Sequence, residues 1–475
     1  MKKPKGQKDT QSFRSHFLLR KTEKRMWLGI IACCIVLMSI SGCFAGEGRY
    51  SDPKTLGLIA QPEYPQMAPY PDLSAGYNMD EYDAWYDDTE AQRRNLGDIS
   101  SLESFFAGSA RTFLTGAEEE NRVYSPLNVY MALSMLAQIT DGESRGQILT
   151  LLGSGSMDAL RQQASDVWNS NYRDDGALTS ILASSLWLDK DVKFNQDTMD
   201  ILARDFYASS YQGEMGSGQF NQALQDWLSE QTGGLLDKQA GNIKLSKETV
   251  LALASTFCFN AKWQFKFNKA DTAPQTFHTP AGDVETDFMH QDGDQRYCWG
   301  EKFSAVGQNF AQGNGVLTMW FLLPDEGVTP DELLSDSEAM DFLLTSEKYG
   351  WENRKRVIVH ESIPKFDVSS QSDLRDGLQA LGVTDVFDPA LSDFTPMITD
   401  ETIPVAVSEV SHAARVVIDE EGCTAAAFTV IPAEGAGMPP DDEVDFILDR
   451  PFLFCITGIN GLPLFAGIVN YPAVR

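Results

Sequence analysis

The ten residues from Glu420 to Thr429 restrict the fold of this chain most, because small side chains alternate after a single glycine. In a β-strand, successive side chains point to opposite faces of the sheet. The residues that would share the inner face are Cys423, Ala425, Ala427 and Thr429, and those that would face outward are Thr424, Ala426 and Phe428. An ordinary Ala-rich helix or loop is the alternative, since alanine is the best helix former. The pattern is typical of a loop that can later become a buried strand.

The sequence predicts one large domain from residue 99 to residue 475. The chain has 475 residues, of which 43% are hydrophobic, so it can bury a sizeable core. Helical periodicity is concentrated in the first part, whereas strand-like apolar runs dominate after residue 250. Because helices and strands do not alternate regularly, the pattern predicts an α+β fold instead of a doubly wound parallel sheet.

The N-terminus is predicted to be a targeting segment covering residues 1–42. Basic residues extend to Arg25, and an apolar stretch from Met26 to Gly42 follows. The residues Ile40-Ser-Gly-Cys43 resemble a bacterial lipobox, in which the cysteine is lipidated. An uncleaved membrane anchor is the alternative. Both interpretations place the domain outside the cytoplasm, and we expect lipid anchoring through Cys43 at the extracellular face of the membrane, or secretion.

Residues 43–98 are predicted to be an acidic, Tyr- and Pro-rich tether without regular structure. The alternative is an extra strand or helix docked on the domain, and the aromatic residues Tyr82, Trp85 and Tyr86 are the reason to consider it. The whole chain has a formal charge of -30, and the strongly acidic balance disfavours nucleic-acid binding.

Cysteine and histidine usage argues against an enzyme or a metal site. Beyond Cys43 the cysteines are Cys258, Cys298, Cys423 and Cys455, with no C-x-x-C spacing. The chain has five histidines and lacks the G-x-S-x-G, H-E-x-x-H and phosphate-binding glycine motifs. We therefore predict buried free thiols, no metal, no cofactor and no hydrolase activity.

Several segments of the chain, taken in order, resemble the serpin family from about residue 100 to the end. They are Asn121–Leu127, Asn221–Gly233, Leu251–Trp263, Phe321–Pro324, Ile363–Phe366 and Phe446–Ile456. Each motif is short, and their collinear order makes the resemblance specific. It implies a single domain of about nine helices and three β-sheets, with an exposed reactive-centre loop at about residues 420–440.

The resemblance implies suicide inhibition of a serine protease by a monomeric protein. A protease cleaves the loop and stays acylated to it while the loop inserts into the main sheet; serpin loop insertion is a known case of strand addition and stored strain. The implied hinge comprises Glu420, Glu421, Gly422, Cys423, Thr424, Ala425, Ala426, Ala427 and Thr429. Cys423 replaces the usual Thr or Ser, and Pro432 is expected to slow insertion. A non-inhibitory surface binding protein is the alternative.

The family's spacing, fourteen residues beyond the pivot glycine, puts the scissile bond between Ala436 and Gly437. Nearby alternatives are Glu434, Gly435 and Met438. Residues 433–440 contain no Lys or Arg, so a trypsin-like protease is disfavoured. A protease with a small, elastase-like pocket suits Ala436 best.

By alignment, a polar cluster called the shutter is expected beneath the sheet at Ser125, Asn128, Ser255 and His412. Asn128 stands where the family usually has a serine, and Ser255 where it usually has an asparagine. The amide and the hydroxyl have exchanged places, which can keep the same donors and acceptors paired.

Overall fold

The computed structural model describes residues 57–71, 78–92, 94, 96–116, 120–311, 317–345, 350–399, 405–408, 410–423 and 442–472. The predicted targeting segment, Cys43 and the loop from Thr424 to Asp441 lie outside the described residues. No helix in the described ranges is long and apolar enough to cross a bilayer.

The described residues contain eleven α-helices, most of which begin at polar capping side chains. They are α1 Met79–Gln92, α2 Ser100–Leu114, α3 Pro126–Ile139, α4 Gly142–Leu151, α5 Met157–Asn171, α6 Gln196–Asp205, α7 Gly218–Gln231, α8 Asp237–Ala240, α9 Pro330–Ser335, α10 Ser337–Leu344 and α11 Arg375–Ala380. Ser125 caps α3 by accepting from the Asn128 backbone N–H, and proline follows at the first helical position.

Seventeen strands occur in the described residues. They are β1 Leu58–Ala60, β2 Arg122–Tyr124, β3 Arg173–Asp174, β4 Thr179–Asp189, β5 Ala208–Gly213, β6 Leu251–Lys262, β7 Ala273–Thr279, β8 Gly282–Trp299, β9 Phe303–Asn309, β10 Thr318–Pro324, β11 Arg354–Pro364, β12 Phe366–Asp373, β13 Ser411–Ile418, β14 Gly422–Cys423, β15 Glu443–Ile447, β16 Phe452–Thr457 and β17 Pro463–Val469.

The strands form two sheets. The first has the order β1-β5-β4-β6-β14-β13-β12, with β3 beside β4. The second has the order β15-β11-β8-β9-β10-β16-β17-β2, with β7 beside β8. The resemblance implied three sheets, but β8 is 18 residues long and pairs with β7, β11 and β9 along its length. It therefore joins the strands expected in two smaller sheets, while the α+β class agrees with the prediction.

Helix α3 forms the centre of the core. All its residues except Ala132 are buried, as expected for a helix that is surrounded by other elements. It contacts β6 of the first sheet and β17 of the second. On the other face of the first sheet, Trp187 of β4 stacks on Tyr211 and contacts Phe220 of α7. The first sheet is thus covered on both faces, by α3 beneath and α7 above.

Part of the stretch predicted to be an unstructured tether is folded against the domain. Strand β1 pairs with β5 at the edge of the first sheet. Trp85 of α1 is buried, and its indole N–H donates to Asp175 at 3.0 Å. Tyr64 packs against Trp168, with ring centroids 5.4 Å apart. The structure differs from the tether prediction here, because aromatic side chains find apolar partners on the domain.

Candidate functional site

Gly422 and Cys423, which follow the predicted hinge residues Glu420 and Glu421, lie inside the first sheet. Gly422 pairs with Lys262 and Cys423 with Ala261 on β6, while Cys423 also pairs with Ile418 on β13. Cys423 is 2% exposed and belongs to the main core. β14 therefore begins a strand between β6 and β13, with Cys423 buried among core residues.

Gly422 is required here by close packing. A β-carbon added at Gly422 would lie 2.3 Å from the Ala261 carbonyl oxygen and 2.7 Å from the Lys262 Cα. No side chain tolerates such distances to backbone atoms, so only glycine allows β14 to approach β6 this closely. The sequence predicted a pivot at this residue because glycine bends freely; in this structure the fit against β6 is the stronger reason.

A tight turn connects β13 to β14. The Asp419 carboxylate accepts from the backbone N–H groups of Glu421 at 2.8 Å and Gly422 at 3.3 Å. The Asp419 N–H donates to the Gly422 carbonyl at 3.0 Å, and the Trp263 indole donates to the Asp419 carbonyl at 2.8 Å. These bonds satisfy the turn's backbone groups and hold it over the end of β6.

Glu420 forms a partly buried ion pair at the base of the hinge. Its side chain is 7% exposed, and Lys365 Nζ lies 3.0 Å from Oε2 and 3.2 Å from Oε1. The Thr272 hydroxyl donates to Oε1 at 2.9 Å. Burial opposes ionisation, but the hydrogen bonds and the Lys365 charge outweigh it and lower the pKa of Glu420.

Glu421 forms a more exposed ion pair. Lys266 Nζ lies 2.7 Å from one carboxylate oxygen and Lys269 Nζ lies 3.5 Å from the other. The hydrogen bond from Lys266 is the main cause that lowers the pKa of Glu421. Sequence reasoning named both glutamates as hinge residues but missed their lysine partners. Lys365 lies in the Ile363–Phe366 motif, which was a signal for it.

The four predicted shutter residues meet beneath the first sheet. The Ser125 backbone N–H donates to His412 Nε2 at 3.2 Å, and its hydroxyl donates to the Leu464 carbonyl at 2.7 Å. The Ser255 hydroxyl donates to the Asn128 side-chain oxygen. Ser184 of β4, which sequence reasoning missed, lies 3.2 Å from Ser255, hydroxyl to hydroxyl. The exchanged amide and hydroxyl therefore do pair with each other across α3 and β6.

His412 lies in β13 at the centre of this cluster. It is 3% exposed, and its ring meets that of Tyr124 edge to face at 5.5 Å. Burial lowers its pKa to about 4, because the charged imidazolium would lose its hydration. His412 is therefore neutral at physiological pH and accepts the Ser125 hydrogen bond.

Strands β6 and β13 lie next to each other in the first sheet, with β14 between them at one end. Within the described strands, no ladder joins β6 directly to β13, since β14 stands between them at the top. Small cavities of ≈ 20 and ≈ 40 Å³ lie on the two faces of the sheet. The first is lined by Asn128, Ser255 and His412, and the second by Ala254 and Ala413. A further strand continuing from β14 would enter between these residues.

The remaining predicted site residues lie outside the described residues. They are Thr424, Ala425, Ala426, Ala427, Thr429, Glu434, Gly435, Ala436, Gly437, Met438 and the lipidation residue Cys43. Their roles stay predictions from the sequence.

Comparisons with known proteins identify the family of this chain. The family described as serpin (serine protease inhibitor) matches residues 102–472. Serpin-ZX of Arabidopsis thaliana is 28% identical over 372 residues, covering 75% of this chain and 94% of that protein. Plasminogen activator inhibitor 1 of Sus scrofa is 28% identical over 379 residues, covering 76% of this chain and 89% of that protein.

A structural comparison gives the same result. The structure of Arabidopsis AtSerpin1 in its native stressed conformation matches with a TM-score of 0.70 at 26% identity, covering 80% of this chain and 99% of that chain. The family match extends over far more than half of the sequence. The chain therefore belongs to the serpin family.

Proposed function

We propose that this protein inhibits a serine protease by inserting its cleaved reactive-centre loop into the first sheet. The observation that carries the proposal is the position of Gly422 and Cys423, which already pair with β6 and β13 as the start of a strand. Further along β6 and β13, the shutter residues and two small cavities lie on the faces of the sheet. Family membership adds support, since serpins are generally protease inhibitors.

The chemistry begins at the scissile bond, for which we propose Ala436-Gly437. The hydroxyl of the protease serine attacks the Ala436 carbonyl, and the protease's general base takes the hydroxyl proton. The base passes this proton to the Gly437 nitrogen, the Ala436–Gly437 bond breaks, the new N-terminal amine leaves, and Ala436 remains as an ester on the protease. Insertion of residues 424–436 below Cys423 would then move the attached protease and distort its active site before water hydrolyses the ester.

Specificity and location are further parts of this proposal. The absence of Lys and Arg from residues 433–440 favours an elastase-like target over a trypsin-like one. Lipidation at Cys43 would hold the inhibitor at the extracellular face of the membrane, with no nucleic acid or cofactor involved. A Cys43→Ala variant should lose its membrane association in cell fractionation while keeping its inhibitory activity.

Denaturing electrophoresis after mixing the protein with elastase tests the mechanism. We expect a denaturation-resistant adduct with elastase and none with trypsin. Mass spectrometry should show that the released C-terminal fragment begins at Gly437. Production of cleaved protein alone would instead support a non-inhibitory binding protein.

A matched pair of loop variants tests the insertion itself. Ala425→Arg places a charge on the face expected to be buried, whereas Ala426→Arg places the same charge on the opposite face. We expect the first variant to be cleaved as a substrate and the second to keep most of its adduct. Equal adduct yields from the two variants would contradict the prediction that Ala425 faces the core and Ala426 faces outward.

A further inference from the structure

Strand β8 of the second sheet has an edge without a partner strand over its middle. On one side, β11 pairs with β8 continuously from Phe288 to Cys298. On the other side, β7 pairs with β8 only as far as Phe288, and β9 pairs with it only from Tyr297. Among the described strands, none pairs with this second edge from residue 289 to residue 295. An open strand edge is a template on which another extended chain can form a ladder.

The hydrogen bonds at the end of β8 show which residues face the open edge. The Trp299 N–H donates to the Asn353 carbonyl at 3.1 Å, so odd-numbered residues bond on the β11 side. The Gly300 N–H donates to the Phe303 carbonyl at 2.9 Å, so even-numbered residues bond on the β9 side. Neighbouring residues of an antiparallel strand direct their backbone groups to opposite edges, and the register of β8 with β11 has no shift.

Asp292 and Asp294 therefore direct their backbone N–H and carbonyl groups out of β8 at the open edge. Both residues are exposed, and no residue in the described ranges donates to or accepts from these backbone groups. Strand β9 does not close the gap, because its Asn309 carbonyl already accepts from the Gln264 N–H at 2.8 Å. The edge can form backbone hydrogen bonds with an added strand.

A cleft beside this edge has room for such a strand. It encloses ≈ 880 Å³ and is lined by residues 291–296 of β8 and by Gly307 and Asn309 of β9. Binding pockets for small ligands typically measure about 300–1,000 Å³. From Met289 to Gln295 the edge extends about 20 Å at roughly 3.3 Å per residue. The cleft therefore suits an extended segment of about six residues.

The cleft is basic at one end of the edge. Burial raises the pKa of the Cys298 thiol to about 11, and the charges of Arg296 and Arg354 act against this shift, so both lie near Cys298. Arg354 donates to the Gly350 and Trp351 carbonyls, and no carboxylate of the described chain forms an ion pair with it. An acidic side chain on the added strand would have the complementary charge here.

The two acidic side chains on the same edge already have partners. Asp294 lies 2.6 Å from Arg356, and Asp292 lies 2.8 Å from His360 Nδ1. Their repulsion of an acidic strand is therefore reduced, which leaves the basic end to select its charge.

Gly293 leaves space on the opposite face of the strand. The three atoms nearest to an added β-carbon all belong to the Gln295 side chain, the closest of them 3.3 Å away. An aromatic side chain on a neighbouring strand can cover such a glycine. Gly293 therefore favours an aromatic residue at the opposing position.

We propose that this edge of β8 binds an extended peptide segment of a partner protein as an additional antiparallel strand. Both β7 and β9, which occupy the same edge on either side, are antiparallel to β8. Backbone hydrogen bonds to Asp292 and Asp294 hold the segment, an acidic residue lies opposite Arg296, and an aromatic residue lies opposite Gly293. This binding is separate from protease inhibition, because none of these residues belongs to the hinge or the shutter.

Isothermal titration calorimetry of the full chain with the peptide acetyl-Glu-Val-Thr-Tyr-Thr-Val-amide tests the proposal. With glutamate opposite Arg296, the N–H of the first threonine faces β8 and the N–H of tyrosine faces away from it. We expect saturable 1:1 binding that weakens at least tenfold when the first threonine is N-methylated and changes less than twofold when tyrosine is N-methylated. Absence of binding at millimolar peptide would overturn the proposal, as would equal affinity of the two methylated peptides.

Protein variants locate the binding to this edge. Asp294→Pro removes an N–H that faces the cleft and leaves the ladder with β11 intact, whereas Asp294→Ala keeps the N–H and loses the same carboxylate. We expect at least tenfold weaker peptide binding in Asp294→Pro than in Asp294→Ala, and bound peptide should slow hydrogen exchange at residues 290–296 of the wild type. Thermal unfolding confirms folding, and Gly293→Leu, which fills the space for the aromatic ring, replaces Asp294→Pro if the latter does not fold. Unchanged affinity in the folded variant would refute the assignment.

Discussion

A β-carbon on Gly422 would lie 2.3 Å from the carbonyl oxygen of Ala261, so the hinge glycine and β6 fit together only without a side chain. This contact places Cys423 in the core and starts the strand that the rest of the loop is proposed to extend. The neighbouring Glu420 and Glu421 hold the turn above it through Lys365 and Lys266. Close packing and two ion pairs therefore fix the point at which the proposed insertion would begin.

Gly422→Ala should displace β14 from the sheet. We expect the free energy of unfolding, measured from the first transition in urea, to fall by about 2 kcal/mol, because the pairing of β14 and the burial of Cys423 are both lost. Gly108→Ala in α2 is the control, since no atom lies within 4 Å of the added carbon and alanine favours the helix. A Gly422→Ala protein as stable as the wild type would argue against close packing.

Glu420 and Glu421 should differ in their contribution to stability. Glu420→Gln leaves Lys365 without its carboxylate in a largely buried site, so we expect a loss of about 2–3 kcal/mol in urea unfolding. Glu421→Gln breaks an exposed pair and should cost less than about 1 kcal/mol. Because the pKa of Glu420 is lowered, its contribution is present above the pKa of the unfolded chain and is lost as the pH falls through the folded-state pKa. Equal losses from both variants would contradict this ranking.

His412 should make the fold sensitive to acid. Its pKa is about 4 in the folded protein and about 6.5 in the unfolded chain, so the unfolded state binds a proton first as the pH falls. The contribution of neutral His412 is therefore complete above pH 6.5 and declines by about 3 kcal/mol towards pH 4. We expect the free energy of unfolding of His412→Asn to depend less on pH over this window. His278→Asn, at an exposed site, should leave the pH dependence of stability in this window unchanged. If the pH dependence persists in His412→Asn, another group causes it.

The N-terminal segment should remain docked through Trp85. Trp85→Ala removes a buried ring and its hydrogen bond to Asp175, at a cost of about 3 kcal/mol for local opening. We expect hydrogen exchange in α1 and β1 to accelerate about a hundredfold, while the core strands keep their protection. Tyr86→Ala is the matched control, because Tyr86 is 38% exposed. If exchange in α1 does not change in Trp85→Ala, the ring does not anchor the helix.

The sequence by itself determined the family and the α+β class, and it predicted a hinge that pivots at Gly422. These predictions rest on local patterns, namely the alternating small residues after Gly422 and the ordered short motifs. Such patterns can be recognised without knowing which residues contact each other. The residues of the shutter could likewise be placed by alignment, including the exchange of Asn128 and Ser255.

Only the tertiary structure decided which side chains meet across the chain. Contacts between residues distant in sequence supply the lysine partners of Glu420 and Glu421, the contribution of Ser184 and the docked segment around Trp85. Glu361 and Gln308, for example, are 53 positions apart, and no local period indicates that they share a hydrogen bond. The close approach of Gly422 to Ala261 is of the same kind, because a distance between two strands is set by the packing of the whole sheet.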